Sequence, residues 1–324
     1  MTNHSISEAA QIIKNGGLVA FPTETVYGLG ANALNPFAVV KIFEMKERPS
    51  FDPLIVHIAS FDDIATLSKG INENVMRLAK CFWPGPLTIV LPKSNIVPDI
   101  VTSGLPTVGI RMPNNEIALE LIKKSGCPVA APSANKFGQL SPVSAYHVKK
   151  QLPGVDCVLD GGDTVVGIES TIVSVEGNRC RLLRPGFITL EDIEKALPNT
   201  FVFDSLKPEK LVSPGLFKSH YSPKKPLYLL NESEIELTDF PGLILHSKHE
   251  INFKATKIVY TSKTSNKTEI AANLFTALHA MEDDENVKKI YIEPVEEKGL
   301  GIAIMDRIKK ASYQYRRQIH NTNV

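Results

Sequence analysis

The sequence predicts an α/β protein with one large twisted sheet and packed helices, followed by a smaller α/β domain. Short β-like runs alternate with helical patterns from Ile6 to about Phe203, which is typical of helices packed on a sheet. The chain has 324 residues, enough for two domains. A proline-rich segment, 207–226, then precedes a second stretch with the same alternation. We therefore expect domains over 1–206 and 227–324, joined by a linker over 207–226.

Each predicted element has its own local signal. The N-terminal segment carries apolar residues at helical spacing, and the next helix has Asn35 as its N-cap and Pro36 at its first position. Phe37, Val40 and Phe43 are expected to form the apolar face of that second helix. Two late helices are expected over about 269–281 and 302–320. The expected strands are, in order, LVAF, LIVHIA, LTIVL, TVGIRM, PVAAP, VDCVLD, STIVSV, RLLRP, PLYLL, GLILHS, KIVYTS and KIYIEP.

The bulk composition is that of an ordinary globular protein. Hydrophobic residues make up 43% of the chain, charged residues 22%, and the formal net charge is +1, so no strong field favours nucleic acid or a membrane surface. No apolar run approaches the roughly 20 residues of a membrane span, and the N-terminus lacks the pattern of a signal peptide. The four cysteines form no CxxC pair. We expect them to be reduced, buried thiols of a cytoplasmic protein.

Hydroxyl-rich loops adjoin several predicted strands. FPTETVYGLG begins at the end of the first strand, and APSANKFG and GIESTIV repeat the pattern. A turn needs only one glycine or proline and one or two polar residues, so these loops carry more polar chemistry than turns require. The GLGANA stretch fits the dinucleotide pattern GxGxxA, but the following helix begins too late for that fingerprint. A flexible turn beside a site is the better interpretation.

Basic residues accompany these loops. Lys46 and Arg48 lie where the second helix ends, a position that a solvated cation would also suit. His57 and Arg111 lie inside apolar strands, where a guanidinium is costly unless an anion satisfies it. No acidic residue occurs in either strand, which leaves an ion pair across the sheet or a bound carboxylate or phosphate. With Arg184 nearby, the groups predict one concave anion site formed at strand ends.

Other kinds of site are disfavoured. Ser133 lacks the G-x-S-x-G elbow of a Ser-His-Asp hydrolase. The histidines are scattered rather than paired at ligand spacing, so we assign no metal-ligating residue. No GxxxxGK[ST] motif occurs, so a nucleoside triphosphate would have to be held in another way.

The chain resembles the YrdC-like family in the ordered motifs FPTETVYGLG, KERPSFDPLIVHI, WPGPLTIVL, VGIRMP, APSAN, GIESTIV and LLRPG. SPGLFKSHYSP and the small second domain resemble its longer, two-domain form, the threonylcarbamoyl-AMP synthases. One small departure is Val143, where the family often has threonine. The resemblance implies a YrdC-like fold with a concave ligand cleft and a Rossmann-like C-terminal domain.

The resemblance also implies a function. A nucleotidyltransferase of this family converts L-threonine, bicarbonate and ATP, with Mg²⁺ brought by ATP, into threonylcarbamoyl-AMP and pyrophosphate. The product is the precursor of threonylcarbamoyl-adenosine in tRNA and would pass to a tRNA threonylcarbamoyl transferase complex. The tRNA itself is not expected to be a direct substrate.

Individual roles follow from the same resemblance. The catalytic signature KxR…SxN corresponds to Lys46, Arg48, Ser133 and Asn135. The residues expected to bind threonine are Thr25, His57, Arg111, Ser133 and Ser170. The residues expected near ATP are Arg48, Asp52, Thr107, Ala131, Ser141, Arg184 and Tyr221.

The predicted linker has an unusual composition. Leu216, Phe217, His220 and Tyr221 are apolar or aromatic groups that are worth burying. We expect the linker to act as a lid that brings Tyr221 to the nucleotide and keeps water from the adenylate. A segment attached to the outside of either domain is the alternative.

Two other functions stay open. An RNA-binding module with a concave basic face is disfavoured by the near-neutral charge and by the scarcity of aromatic residues in the basic stretches. A carbamoyl-adenylating enzyme with another acceptor would use the same site, and a screen of amino acids would separate it from a threonine enzyme.

Overall fold

The computed structural model describes residues 5–177, 179–197, 202–204, 219–230, 240–248 and 254–321, with the backbone alone for 202–204 and 316–321. The chain divides into two compact units. The first comprises Met1–Phe137, Pro142–Val165 and Glu169–Leu216, and the second comprises Gly138–Ser141, Val166–Ile168 and Phe217–Val324. The domain boundaries expected at 206 and 227 stay predictions. Most of the expected linker lies outside the described residues, so its role as a lid also stays a prediction.

The first unit is built on a mixed sheet of ten strands in the order β10-β9-β8-β4-β5-β3-β6-β2-β1-β7. Parallel and antiparallel neighbours both occur in it, as in β3–β5 and β4–β5. The strands are β1 (Val19–Phe21), β2 (Gly28–Asn32), β3 (Ile55–His57), β4 (Leu87–Pro92), β5 (Thr107–Arg111), β6 (Val129–Ala130), β7 (Cys157–Val158), β8 (Thr171–Glu176), β9 (Arg179–Arg184) and β10 (Val202–Asp204).

Helices cover this sheet in two apolar layers. The main hydrophobic core lies on one side, and a second cluster lies under α1 and α6 near β1 and β7. The helices of this part of the chain are α1 (Ile6–Lys14), α2 (Pro36–Lys46), α3 (Asp62–Leu67), α4 (Glu73–Phe82), α5 (Asp99–Thr102), α6 (Glu116–Ser125), α7 (Ala145–Gln151) and α8 (Leu190–Ala196).

The expected start of α2 is confirmed, but its expected apolar face is right only in part, since Phe43 is buried, Val40 is half-buried and Phe37 is exposed. The Asn35 side chain accepts hydrogen bonds from the backbone N–H groups of Phe37 and Ala38, which is the usual chemistry of an N-cap. Phe37 is 81% exposed, and the buried positions are Ala38, Val39, Ile42, Phe43 and Lys46. Apolar residues at 37–40 fill a full helical turn, so periodicity alone allows several faces. Packing on β2 turns Ala38, Val39, Ile42 and Phe43 inward and leaves Phe37 exposed.

The second unit contains a separate sheet of four parallel strands in the order β11-β14-β12-β13. Its elements are β11 (Leu227–Leu229), β12 (Pro241–Leu245), β13 (Lys257–Tyr260), α9 (Lys267–Asp283), β14 (Lys289–Ile292) and α10 (Leu300–Asn321). The expected α/β class, with a large sheet and a smaller second one, is therefore confirmed. In the described ranges, no helix has both the length and the apolarity needed to cross a membrane.

The cysteines match the expectation only in part. All four are free thiols, as expected. Cys157 and Cys180 are buried, whereas Cys127 is half-buried and Cys81 is exposed. The expectation of burial is wrong for Cys81, because it lies outside the buried stripe of α4.

The stretch GLGANA forms a strand, so its interpretation as a flexible turn is wrong. Gly28–Asn32 is β2, which pairs antiparallel with β1 and β6. A Cβ on Gly30 would lie 2.7 Å from Cε1 of Phe21 and 2.8 Å from Cγ1 of Val129. The glycine therefore allows two neighbouring side chains to close over the strand.

We expect Gly30→Ala to lower the free energy of unfolding by about 1–3 kcal/mol, because the added methyl overpacks a filled site. Gly154→Ala is the matched control, since its Cβ would meet Cε of Met45 at an ordinary 3.9 Å. Chemical denaturation of the two variants measures the difference. Equal free energies of unfolding would contradict the packing argument.

Candidate functional site

One face of the large sheet carries many of the polar residues singled out from the sequence. His57 of β3 pairs in register with Arg111 of β5. On β4 the register pairs Ile89 with Ile110 of β5, and continuing it by one residue places Thr88 opposite Arg111. Thr88 pairs with Ile172 of β8, which in turn pairs with Arg184 of β9. Side chains paired across strands point to the same side of a sheet. This row therefore places His57, Arg111 and Arg184 on one side, which we call the polar face.

The opposite side of the same strands is apolar, because successive residues of a strand alternate between the two faces. It carries Val56, Ile89, Ile110 and Val173, all members of the main hydrophobic core. Thr107 lies on β5 with the same parity as Arg111, so it belongs to the polar face, where it is half-buried. The alternation thus separates a packing surface from a surface rich in polar groups.

Arg111 forms an ion pair with Glu24, from the loop between β1 and β2. Nη2 of Arg111 lies 2.8 Å from Oε1 of Glu24, and both side chains are about 95% buried. Nε of Arg111 also donates to the carbonyl of Gly85 at 3.3 Å. The structure thus contains the ion pair that the sequence left open as an alternative, and the partner lies outside both strands.

His57 is a buried, neutral neighbour of this pair. Its ring lies edge-on to Phe21, with 6.2 Å between the ring centroids, and it is 3% exposed. Burial, followed by the charge of Arg111, lowers the pKa of His57 to about 3. Its Nδ1 has no hydrogen-bond partner among the described residues. A neutral imidazole beside Arg111 can donate a hydrogen bond to a ligand on the polar face or accept one from it.

The lowered pKa of His57 predicts a loss of stability in acid. Between the unfolded pKa of about 6.5 and the folded pKa of about 3, only the unfolded state binds the proton, so the free energy of unfolding falls as pH drops. We expect this residue to account for about 2 kcal/mol of the loss between pH 7 and about pH 5. Urea denaturation of the wild type and His57→Gln at both pH values measures it. Parallel losses in the two proteins would contradict the assignment.

Arg184 and Ser170 form a second polar group on the same face. The Arg184 guanidinium donates from Nη2 to the Ser170 carbonyl at 2.9 Å and to its hydroxyl at 3.1 Å. The Ser170 hydroxyl in turn lies 2.8 Å from the Thr88 hydroxyl. All three side chains are buried. This network fixes the orientation of Arg184, and Thr88 is a member of it that the sequence did not single out.

Lys46 joins α2 to the loop after β6. Its ammonium group donates to the carbonyl oxygens of Ser133 and Asn135, both at 2.5 Å. Lys46 is 1% exposed, so the solvated-face interpretation is wrong for it. Burial, followed by the charge of Arg48, holds the pKa of Lys46 well below its ordinary value. The contacts bring together three of the four residues of the KxR…SxN signature.

Arg48, the fourth residue of the signature, binds the loop that follows α2. Its Nη2 lies 2.8 Å from Oδ2 of Asp52 and 2.9 Å from the carbonyl of Pro53. Asp52 is fully buried, and burial raises its pKa against the opposing charges of Arg48, Lys46 and Arg184. The solvated-face interpretation is therefore wrong for Arg48 as well. The predicted roles of these residues toward ATP stay predictions.

Thr25 and Ala131, two further predicted residues, each make a hydrogen bond within the first unit. The hydroxyl of Thr25 is buried and lies 2.8 Å from that of Thr23. Ala131 follows β6 and donates its N–H to the carbonyl of Ile55 at 2.9 Å.

Ser141 and Tyr221 belong to the second unit. The carbonyl of Ser141 lies 3.0 Å from Nε2 of His279. The centroid of the Tyr221 ring lies 5.5 Å from that of the Phe275 ring and 5.6 Å from the guanidinium carbon of Arg307. Their assignment to ATP stays a prediction.

Glu24 is the residue that the sequence reasoning missed. A signal was available, because it is the acidic residue within FPTETVYGLG, the motif with the most polar chemistry. Within the described ranges, no group of three or more His, Cys, Asp or Glu residues could hold a metal. Two buried acidic side chains near the predicted site, Glu24 and Asp52, each face an arginine.

Comparison with known proteins relates the whole chain to one family. The Sua5, YciO and YrdC family described as "Telomere recombination" matches residues 11–186, and the family described as "Threonylcarbamoyl-AMP synthase, C-terminal domain" matches residues 188–312. The threonylcarbamoyl-AMP synthase of Pyrococcus abyssi is 46% identical over 94% of this chain and 93% of its own length. That of Bacillus subtilis is 40% identical over 95% and 92%.

A solved structure is similar to this chain over nearly its full length. The crystal structure of P. abyssi Sua5 complexed with L-threonine superimposes with a TM-score of 0.87 and 44% identity, covering 95% of this chain and 94% of that one. Both parts of the chain are included at this coverage. The chain belongs to the Sua5/YrdC family, in its two-domain, threonylcarbamoyl-AMP synthase form.

Proposed function

We propose that the protein is an L-threonylcarbamoyladenylate synthase, a nucleotidyltransferase that forms threonylcarbamoyl-AMP and pyrophosphate from L-threonine, bicarbonate and ATP. One observation carries the proposal: two oriented arginines, Arg111 and Arg184, belong to one row across the polar face. Three strand spacings separate them, roughly 14 Å between main chains. Such a face can hold two anionic substrates against each other. The names of the full-length relatives support threonine as one of them.

The chemistry needs little covalent work from the protein. The threonine amine adds to the bicarbonate carbon to give a carbamate, and a carbamate oxygen then attacks the α-phosphorus as pyrophosphate leaves. The protein must position the anions and neutralise the charge that develops on the phosphates. Arg111 and His57 would hold threonine, with Thr25, Ser133 and Ser170 around it.

Lys46, Arg48 and Arg184 would serve the phosphates. An ammonium group has three donors, so the two carbonyl bonds of Lys46 leave one for a phosphate oxygen. The other residues proposed near ATP are Asp52, Thr107, Ala131, Ser141 and Tyr221. Because Glu24 and Asp52 already face arginines, we propose that Mg²⁺ is held by the ATP phosphates, where it would neutralise their charge.

The proposed product links this reaction to tRNA. Threonylcarbamoyl-AMP is a mixed anhydride, and its carbamoyl group is activated for transfer to an amine. We propose that it passes to a tRNA threonylcarbamoyl transferase complex, so that tRNA is modified downstream and is not a substrate here.

Pyrophosphate release tests the function. With MgATP, release should require both L-threonine and bicarbonate, and mass spectrometry should detect threonylcarbamoyl-AMP. Release with another amino acid in place of threonine would move the function to another acceptor. Salt-sensitive polyanion binding without ATP consumption would favour the RNA-binding alternative instead.

A further inference from the structure

Glu24 is a buried carboxylate with spare hydrogen-bonding capacity. Its side chain is 4% exposed, and Arg111 is the charged group that faces it. Although the two atoms of the ion pair lie 2.8 Å apart, neither Glu24 oxygen has an aligned hydrogen-bond donor among the described residues. An ionised carboxylate can accept about four hydrogen bonds. A buried carboxylate with so few hydrogen bonds destabilises the protein. We therefore expect a bound ligand to supply the missing donor.

The pair offers two opposite charges side by side. Arg111 presents a cation to the polar face, and the Glu24 carboxylate lies next to it with both oxygens buried. A free α-amino acid carries its carboxylate and its ammonium group on one carbon, so it presents the complementary pair at a similar spacing. An ammonium group supplies three N–H donors. The pair therefore matches a zwitterion better than it matches a simple anion.

We propose that Glu24 binds the α-ammonium group of the amino-acid substrate and accepts its proton, which makes the amine nucleophilic. This inference rests on the proposed function. The proton moves from the ammonium nitrogen to a Glu24 oxygen, and the freed lone pair forms the N–C bond with bicarbonate. A C–O bond of bicarbonate breaks, and the leaving hydroxide takes the second amine proton, so that carbamate and water are formed. Glu24 then releases its proton to solvent.

Ligand discrimination tests the binding role. Isothermal titration compares L-threonine with the analogue in which a hydroxyl replaces the α-amino group. The wild type should prefer threonine by about 10–100-fold, the value of a charge-assisted contact. Glu24→Gln should lose most of this preference, because both ligands keep the carboxylate that Arg111 holds. Equal affinities in the wild type, or an undiminished preference in Glu24→Gln, would overturn the proposal.

Matched variants separate this role from the fold. Asp52→Asn also removes a buried carboxylate that faces an arginine, yet it should keep the preference for threonine whatever it does to ATP. Glu24→Asp keeps the charge and should keep most of the preference. Glu24→Ser removes the carboxylate and should lose the preference, so it replaces Glu24→Gln as the test variant if that protein does not fold. A full preference for threonine in folded Glu24→Ser would refute the contact.

The pH dependence of pyrophosphate release tests the proton transfer. His57, with its pKa lowered to about 3, stays neutral above pH 6 and does not change charge over the tested range. Free amine becomes more abundant as pH rises, so the deficit of Glu24→Gln should shrink at least about fivefold from pH 7 to about pH 9. A constant deficit would overturn the base role. Wild-type protein without threonine-dependent release would instead refute the proposed function.

Discussion

Replacing Arg111 with glutamine is expected to weaken L-threonine binding about 10–100-fold while ATP binding changes far less. The guanidinium lies on the polar face beside His57, and we propose that it holds the threonine carboxylate. A planar guanidinium makes two parallel bonds to a carboxylate, which glutamine cannot reproduce. Titration calorimetry of each ligand with the wild type and the variant measures the two losses.

The ion pair with Glu24 makes a stability control necessary. Arg111→Gln leaves a buried carboxylate without its cation, and such a loss costs about 3–5 kcal/mol. Arg111→Lys keeps a cation opposite Glu24, so it should retain most of the stability but only part of the threonine affinity. Equal losses for threonine and ATP in folded Arg111→Gln would assign the residue to the fold rather than to the ligand.

Replacing Lys46 with methionine is expected to lower kcat by about 10²–10³-fold, with a smaller change in KM for threonine. The ammonium group lies between the carbonyls of Ser133 and Asn135, and its third N–H is proposed to meet a phosphate oxygen. Its loss removes a contact that strengthens as charge develops on the phosphates. Steady-state pyrophosphate release measures both constants.

The same helix offers a matched control for Lys46. Lys41 donates to the carbonyl of Gly16 at 2.7 Å, so Lys41→Met also removes a lysine that supports the backbone. Each buried carbonyl that loses its donor lowers the free energy of unfolding by about 1–3 kcal/mol, so both variants should lose stability. Only Lys46→Met should lose turnover. Comparable kcat values in the two variants would return Lys46 to a purely structural role.

The fold class could be derived from the sequence because its signals are local. Each strand and helix expected from apolar periodicity is present in the structure. Asn35 marked the start of α2 because an N-cap contacts only its own neighbours along the chain. The family motifs are also continuous segments, so the amino-acid sequence alone is enough to recognise the family. Strand β2 was missed because its glycines have the composition of a turn, and only contact with Phe21 and Val129 explains them.

The composition of the site depended on tertiary structure. Glu24 meets Arg111, and Lys46 meets Ser133, through the order and register of strands that are distant along the chain. Burial decided whether Lys46 and Arg48 were solvated cations or supports of the backbone, and their position at the end of a helix does not reveal it. Sequence alone thus determined the fold class, most of the strands and the residue types that they carry. Strand pairing determined which of those residues share one face, because charge partners are chosen by distance in space and not along the chain.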